Sequence, residues 1–339
     1  MKIRLSIPIA IAVCAAAPAA AQTQDFYRGK QITVAIGAPA GGIYDLYGRL
    51  FARHIGNFIP GAPSVVVQNM PGAAGIRAAN YLYNVAPRDG TTLAVSLNSL
   101  PLNPFLAPGE VKYKSEGFNW IGRGDAPAHL LYTLATSGLA SIEDARKRDI
   151  LTASIAPGTS TQMYPAMANA FVGTRFRIVS GYEGSGGVNM ALERGEVEAV
   201  GANSWTNLVL TKPDWIRERK IRPLFQMTLR RDAEMPDTPT LVELATNDLD
   251  REAISFLVRT EEAGSYLIAP PETPADRVDI LRNAFSAMIA SPAFLAEAKQ
   301  LNFGVNPLDG AEMQRRIARV AATPDNVVQR FRDAILTKP

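Results

Sequence analysis

Apolar positions near the start of the chain predict a strand, a turn and a helix in immediate succession. Residues 32–36 are apolar except for Thr33, and residues 37–42 are rich in glycine and proline. Apolar side chains then recur at helical spacing, at Tyr44, Tyr47, Leu50, Phe51 and Ile55. The first turn of such a helix has unpaired N–H groups and the positive end of the helix dipole. A corner of this kind can receive an anion, although many glycine turns serve only the turn itself.

A second corner of the same build follows much later and is rich in hydroxyl groups. A strand is predicted over residues 150–154, followed by a turn that contains Gly158 and a helix over residues 163–171. The hydroxyl groups of the turn belong to Thr159, Ser160 and Thr161. Two helix N-termini that face one cleft can hold an anion with neutral donors, because each hydrogen bond to a charge is worth about 1.5–3 kcal/mol net.

Strands alternate with helices along the rest of the chain, which favours an α/β fold with mainly parallel sheets. The alternation breaks at residues 120–129, where glycine and proline interrupt an extended segment. We interpret this segment as the first crossing between two domains, and residues 224–228 as a return strand. The predicted domains are therefore residues 26–124 together with 232–339, and residues 125–231.

Residues 1–21 have the composition of a cleavable export signal. A basic head precedes an apolar run over residues 5–17, and an Ala-x-Ala sequence ends at Ala21. The only cysteine, Cys14, lies in this segment. Its lipidation is an alternative, but the bulky Val13 stands where a small residue is expected. Cleavage after Ala21 leaves a mature chain without disulfide, thiol nucleophile or thiolate metal site.

Charge and length narrow the class of function. The chain has 35 Lys and Arg and 32 Asp and Glu, and loss of Lys2 and Arg4 with the signal changes its charge from +3 to 33 − 32 = +1. A near-neutral exported protein without a basic run is not expected to bind nucleic acid. No later stretch reaches the ~18 uninterrupted apolar residues of a membrane span. The mature chain is therefore expected to be soluble and to form two domains.

Sequence motifs typical of enzymes are absent or incomplete. His54 and His129 are the only histidines, and no H-E-x-x-H occurs. The glycine-rich turns at residues 158–162 and 184–187 both miss G-x-S-x-G, and the second also fails as a dinucleotide fingerprint. No G-K-[ST] phosphate loop is present. We predict no catalytic residue, no metal site and no cofactor, and keep an exported hydrolase only as a third hypothesis.

Short segments distributed along the chain carry a family resemblance. Pro-Ala-Gly-Gly-Ile-Tyr-Asp lies at residues 39–45 and Ala-Pro-Gly-Thr-Ser at residues 156–160. Further segments lie at residues 30–36, 67–75, 86–93, 182–185, 193–198, 236–243 and 267–274. In this order they resemble the Bug-type solute-binding proteins, which are the extracytoplasmic receptors of the tripartite tricarboxylate transporter family. The resemblance depends on the ordered set and covers about residues 26–331.

The resemblance implies a two-domain clamshell of the periplasmic-binding-protein type II, with two crossing segments. Each domain would be a mixed, mainly parallel sheet flanked by helices. The protein would be a periplasmic monomer without a cofactor that binds a small mono-, di- or tricarboxylate and delivers it to integral-membrane transporter subunits. The ligand would lie between the two corners. The residues implied at this site are Ala40, Gly41, Gly42, Tyr44, Asn98, Ser99, Ser154, Gly158, Thr159, Ser160, Thr161 and Asn203.

Several positions depart from the family pattern and leave the identity of the ligand open. Glu183 stands where Lys or Arg is common, and Asn203 where Asp is usual. The segment of residues 247–264 is longer and more charged than is usual in the family, and it includes Arg251, Arg259, Glu261 and Glu262. Tyr44 could form the floor of a site for an aromatic ligand, although its helical spacing also suits the core. A sensor that signals to a membrane partner without transport is the alternative function, because it needs the same cleft.

Overall fold

The structure, a computed structural model, describes residues 26–336, so the predicted signal peptide lies outside the described residues. The strands are β1 (Gln31–Ile36), β2 (Ser64–Asn69), β3 (Thr92–Val95), β4 (Asn119–Asp125), β5 (His129–Leu134), β6 (Ile150–Ser154), β7 (Phe176–Ser180), β8 (Ala199–Ser204), β9 (Ile221–Met227), β10 (Ser265–Ala269) and β11 (Leu308–Asp309).

The helices of the described part are α1 (Ile43–Ile55), α2 (Ile76–Asn84), α3 (Asn103–Leu106), α4 (Ile142–Lys147), α5 (Ser160–Val172), α6 (Gly184–Glu193), α7 (Trp205–Thr211), α8 (Pro213–Arg217), α9 (Leu241–Leu244), α10 (Asp248–Glu261), α11 (Ala275–Ile289), α12 (Pro292–Gln300), α13 (Gly310–Ala321) and α14 (Asp325–Leu336). Short 3-10 turns lie at Gly56–Phe58, Ala73–Gly75 and Ser115–Gly117. Within residues 26–336, no helix combines the length and the apolar character needed to cross a bilayer.

The first sheet has the strand order β11-β4-β10-β3-β1-β2. Strand β1 pairs in parallel with β2 and β3, whereas β10 and β11 pair antiparallel with β4. Strand β1 is mainly apolar because both of its faces are covered. Val34 and Ile36 pack with Phe51 of α1 on one face, and Ala35 packs with Ala79 of α2 on the other.

The second sheet has the strand order β7-β6-β8-β5-β9. Strand β6 pairs in parallel with β7 and β8, and β5 pairs antiparallel with β8 and β9. The chain passes from the first sheet to the second between β4 and β5 and leaves the second sheet after β9. Two mixed sheets flanked by helices are the fold class that the sequence predicted.

Helix α10 was not predicted as a helix, because its charged residues obscure the apolar face. The side chain of Asn247 caps its first turn by accepting the N–H of Asp250. Ile254, Leu257 and Val258 are buried on its inner face. The unusual charged segment of the sequence is therefore a packed structural element with an amphipathic surface.

The last helix, α14, packs on α10 and on α5 of the second sheet. Phe331 meets Phe256 edge to face, with 5.3 Å between the ring centroids. Arg330 Nε lies 2.6 Å from Asp250 Oδ1, and Gln162 Nε2 donates to Ile335 O at 3.1 Å. The end of the chain therefore shares the core of the second sheet. The predicted division into residues 26–124 with 232–339 and residues 125–231 stays a prediction.

Candidate ligand-binding cleft

A cleft of about 410 Å³ is lined by residues from both sheets. From the first sheet it receives residues that follow β1 and β3, at Tyr44 and Asn98, and Asp125 at the end of β4. From the second sheet it receives the turn after β6 and the end of β8. Ligands of open α/β sheets bind at the carboxyl ends of strands, which is where this cleft lies.

The hydroxyl-rich corner after β6 is held by its own hydrogen bonds. Helix α5 begins directly after Thr159. Thr161 Oγ1 accepts the N–H of Ile155 at 2.9 Å and lies 2.7 Å from Thr159 Oγ1. Ser154 Oγ, which is fully buried, lies 3.1 Å from the same Thr161 oxygen. The directions of these hydroxyl groups are therefore fixed by the fold.

Glu261, the last residue of α10, lies against the same corner. Its Oε1 accepts a hydrogen bond of 2.8 Å from Ser160 Oγ, and Tyr164 OH donates to its Oε2. Burial raises the pKa of Glu261 to about 7, because desolvation of the charge outweighs the two hydroxyl donors. In the sequence Glu261 is only one charge in an unusual segment, since 101 positions separate it from Ser160.

Asn203 belongs to a network of uncharged groups on the cleft wall. Its side-chain oxygen accepts the N–H of Ser204 and the Nδ2 of Asn207, each at 2.9 Å. Its Nδ2 lies 3.4 Å from the hydroxyl oxygen of Tyr132, which in turn donates to Asn189. At this place on the cleft wall the chain therefore has a neutral amide with a fixed orientation.

The tyrosines of α1 have different roles. Tyr44 lines the cleft, and burial raises its pKa to about 12, against the opposing effect of a hydrogen bond with the Asn98 backbone. The ring of Tyr47 is buried and stacks on Phe303 with 4.5 Å between the ring centroids. Tyr47 OH donates to Asp125 Oδ2 at 3.1 Å. Tyr44 is thus available to a ligand, whereas most of Tyr47 belongs to the core.

The glycine corner after β1 binds a carboxylate of the protein itself. The N–H of Gly41 donates to Asp45 Oδ2 at 2.8 Å. The same carboxylate accepts Arg49 Nε at 3.0 Å and Asn69 Nδ2 at 2.7 Å. Burial alone would raise the pKa of Asp45, but these three donors lower it to about 2. The N–H of Gly41, which was predicted to bind a ligand, therefore forms a hydrogen bond within the protein.

The structure brings part of the predicted site together. The predicted residues that line the cleft are Tyr44, Asn98, Thr159, Ser160, Thr161 and Asn203. Those that lie outside its lining are Ala40, Gly41, Gly42, Ser99, Ser154 and Gly158. Gly42 N–H donates to Pro39 O at 3.4 Å, and Ser99 Oγ to Ala74 O at 3.4 Å. Direct contact of any of these residues with a ligand stays a prediction.

The charged residues that line the cleft are acids. They are Asp125 and Glu261, and none of the described lining residues is Lys or Arg. His129 also lies on the wall, and burial lowers its pKa to about 4, so it is neutral at pH 7. Within residues 26–336, no three His, Cys, Asp or Glu side chains come together as a metal site. The cleft therefore offers hydroxyls, amides and two carboxyl groups.

Two mixed α/β sheets, joined by crossing segments and sharing a polar cleft, form an architecture of the periplasmic-binding-protein type II. The model of the tripartite tricarboxylate transporter family receptor matches residues 61–335. This chain belongs to that family, as its resemblance to the Bug-type receptors predicted. It is a solute-binding protein and not an enzyme.

Known proteins and solved structures align with most of this chain. A UPF0065 protein in the tcbD-tcbE intergenic region of Pseudomonas sp. (strain P51) is 28% identical over 305 residues, which cover 86% of this chain and 82% of that protein. The crystal structure of a TctC solute binding protein from Polaromonas, without ligand, is 21% identical with a TM-score of 0.70, covering 87% of this chain and 96% of that one. R. palustris Rpa4515 with adipate is 20% identical with a TM-score of 0.60, covering 89% and 97%.

Proposed function

We propose that this protein is a periplasmic receptor that captures a small carboxylate-bearing solute in the cleft and delivers it to membrane transporter subunits. The observation that carries the proposal is the hydroxyl-rich N-terminus of α5 at a cleft shared by two sheets. The adipate held by the R. palustris relative agrees with a carboxylate ligand. Residues 1–21 would direct export and then be removed.

Neutral donors suit a receptor that must also release its cargo. Hydroxyl and amide groups at Thr159, Asn203 and Asn207 lie on the cleft wall, and Thr159 Oγ1 donates to Ala156 O at 2.6 Å. To bind a carboxylate, the Thr159 hydroxyl would turn away from this oxygen. Such neutral groups bind a carboxylate without the strong attraction of an Arg or Lys. The dipole of α5, a helix of thirteen residues, adds a positive end at the same place.

The two sheets would act as the halves of a hinged clamshell. The hinge would lie near residues 123–128 and 228–231, where the chain passes between the sheets. Gly124 lies inside β4, and a side chain there would come within 2.7 Å of the Phe51 ring, so its role is close packing. Bending is therefore expected at residues 126–128, between β4 and β5. A ligand that contacts both halves would favour the closed form.

The proposal can be tested on the mature protein, residues 22–339. A thermal-shift screen against carboxylates should find a ligand, because a solute at 100 times its Kd stabilises the fold by about 2.7 kcal/mol. Calorimetry should then compare the hit with its neutral amide counterpart. We expect the amide to bind more weakly. Equal affinity of the two compounds, or no stabilising carboxylate, would contradict the proposal.

A further inference from the structure

The hydroxyl corner already contains a carboxylate that belongs to the protein. Glu261 accepts hydrogen bonds from Ser160 Oγ and Tyr164 OH, which are donors at the place where a ligand carboxylate was predicted. A ligand carboxylate beside Ser160 would therefore stand next to a second carboxyl group. Two carboxylates that share a site repel each other, and one of them must then be protonated or move away.

Glu261 has no cationic partner in the described part of the chain: no ion pair there includes it. The neighbouring Glu262, in contrast, pairs with Arg316 at 3.0 Å. The other carboxyl group of the cleft, Asp125, lies near Arg123 on the same strand. The guanidinium of Arg123 donates to the backbone oxygens of Glu262 and Asn306 and lies outside the cleft lining.

Inside the cleft, the remaining groups around Glu261 are neutral. They are the hydroxyl groups of Ser160, Tyr164 and Tyr44, of which Tyr44 faces Glu261 from α1. The ring of His129 lies 6.3 Å from that of Tyr164 and is uncharged at pH 7.

Glu261 also borders a second cavity that contains Arg123, Arg259 and Arg316, but none of these forms an ion pair with it in the described part of the chain. The raised pKa of Glu261 agrees with this absence of a cationic partner. A cation placed beside Glu261 would remove the cost of the buried carboxylate.

We propose that the natural ligand carries a cationic ammonium group in addition to its carboxylate, and that Glu261 binds the ammonium. This inference rests on the proposed function and names the chemical class of the solute: an amino carboxylate rather than a dicarboxylate. The carboxylate end would use the neutral donors near Thr159 and Asn203. The ammonium end would lie against Glu261, whose two oxygens already have a fixed direction.

The test compares ligands that differ only at one end. Calorimetry at pH 8 should measure the affinities of 4-aminobutyrate, glutarate and glutaramate, which share a carboxylate and a three-methylene chain. The same three end groups should also be compared on shorter, longer and aromatic carboxylates. In the best-fitting set we expect the ammonium compound to bind at least about tenfold more tightly than the dicarboxylate. Glu261→Gln should reduce this preference by about tenfold.

Glu262→Gln is the matched control, because Glu262 is adjacent in sequence and lies outside the cleft lining. It should leave the preference unchanged. If a dicarboxylate binds wild-type protein at pH 8 as tightly as the ammonium compound of its set, the inference is overturned while the proposed function stands. If no compound in any set binds, the proposed function fails and the inference fails with it. The wild-type comparison decides even if Glu261→Gln does not fold.

Discussion

The two strand-turn-helix corners of this protein use the same chemical group in opposite ways. Each has a carboxylate of the protein at the start of a helix: Asp45 at the glycine corner and Glu261 at the hydroxyl corner. Asp45 is local, lies four residues from Gly41 and has Arg49 as a partner. Glu261 comes from a distant helix and accepts hydrogen bonds from hydroxyl groups only.

The pKa values of Asp45 and Glu261 differ because different hydrogen-bond donors surround the two carboxyl groups. Asp45 is buried, but a backbone N–H, an amide and a guanidinium lower its pKa to about 2. The two hydroxyl donors of Glu261 do not offset desolvation, so its pKa is raised to about 7. The first corner is therefore a completed structural unit. The second has a carboxyl group whose charge is incompletely stabilised, and it can gain from a ligand.

Asp45→Ala tests the structural role of the first corner and should have the largest effect. Without the buried carboxylate, the half-buried Arg49 and Asn69 and the exposed Gly41 N–H lose an acceptor that water can replace only in part, so we expect the free energy of unfolding to fall by about 2–3 kcal/mol. Urea denaturation measures this loss. Asp276→Ala, also in a first helical turn but exposed, is the control and should cost under about 1 kcal/mol. Equal effects of the two substitutions would contradict the structural role.

The pH dependence of Asp45 gives a second check on that variant. Its folded-state pKa lies below the unfolded value, so its stabilising contribution is present above pH about 4. The contribution is lost as the pH falls towards about 2. The difference in unfolding free energy between wild type and Asp45→Ala should therefore shrink with acidification.

The hydroxyl groups of the second corner are expected to matter for binding more than for folding. Thr159→Ala with Ser160→Ala removes a donor from the cleft wall and one of the two donors that orient Glu261. Affinity for the identified ligand should fall about tenfold or more, with a stability loss of about 1–2 kcal/mol. Isothermal calorimetry and denaturation measure the two effects. Ser141→Ala, which removes the cap of α4 outside the cleft, should leave affinity unchanged.

Glu261→Gln should have an effect on stability opposite to that of the Asp45 variant. The folded protein keeps a proton on Glu261 that the unfolded chain releases above pH about 4, so the wild-type stability falls as the pH rises from about 4 to about 7 and is level above that. Relative to wild type, the variant should gain about 1–2 kcal/mol between pH 5 and pH 8, which is less than the full value of about 1.4 kcal/mol for each pH unit up to about 7, because the side chain is only half-buried. His129 titrates in both proteins, so its effect cancels. Denaturation at the two pH values checks this, and a constant difference would show that Glu261 is not perturbed.

The smallest effect is expected in the radius of gyration of the protein when it binds its ligand. A solute that bridges the two corners makes its full set of contacts only when the cleft is closed, so saturating ligand should lower the radius of gyration by a fraction of an ångström to about 1 Å. Small-angle scattering with and without ligand measures this change. An unchanged radius in a sample with confirmed binding would favour a rigid pocket or a closed ligand-free state.

Local patterns in the sequence determined much of the fold. The mainly apolar residues 32–36 predicted a buried strand, which is β1, and the hydroxyl turn before α5 predicted a corner that does line the cleft. Both features depend on residues that are adjacent in the chain. The ordered family segments then indicated two domains with a shared cleft. Helix α10 was not predicted, because Asp, Glu and Arg residues stand between the apolar residues of its buried face in the sequence.

The carboxyl groups of the two corners acquired their partners only in the tertiary structure. Glu261 meets Ser160 because the fold places the end of α10 beside the start of α5, and α14 packs against both helices. At the glycine corner, the N–H of Gly41 donates to Asp45 and is not free for a ligand. The sequence does not show this bond, because the Asp45 side chain could also have faced solvent. A carboxyl group has its ordinary pKa in an unfolded chain, and the folded surroundings change that pKa. Which corner is completed and which can accept a ligand is therefore a property of packing, because desolvation and donor geometry exist only in the folded chain.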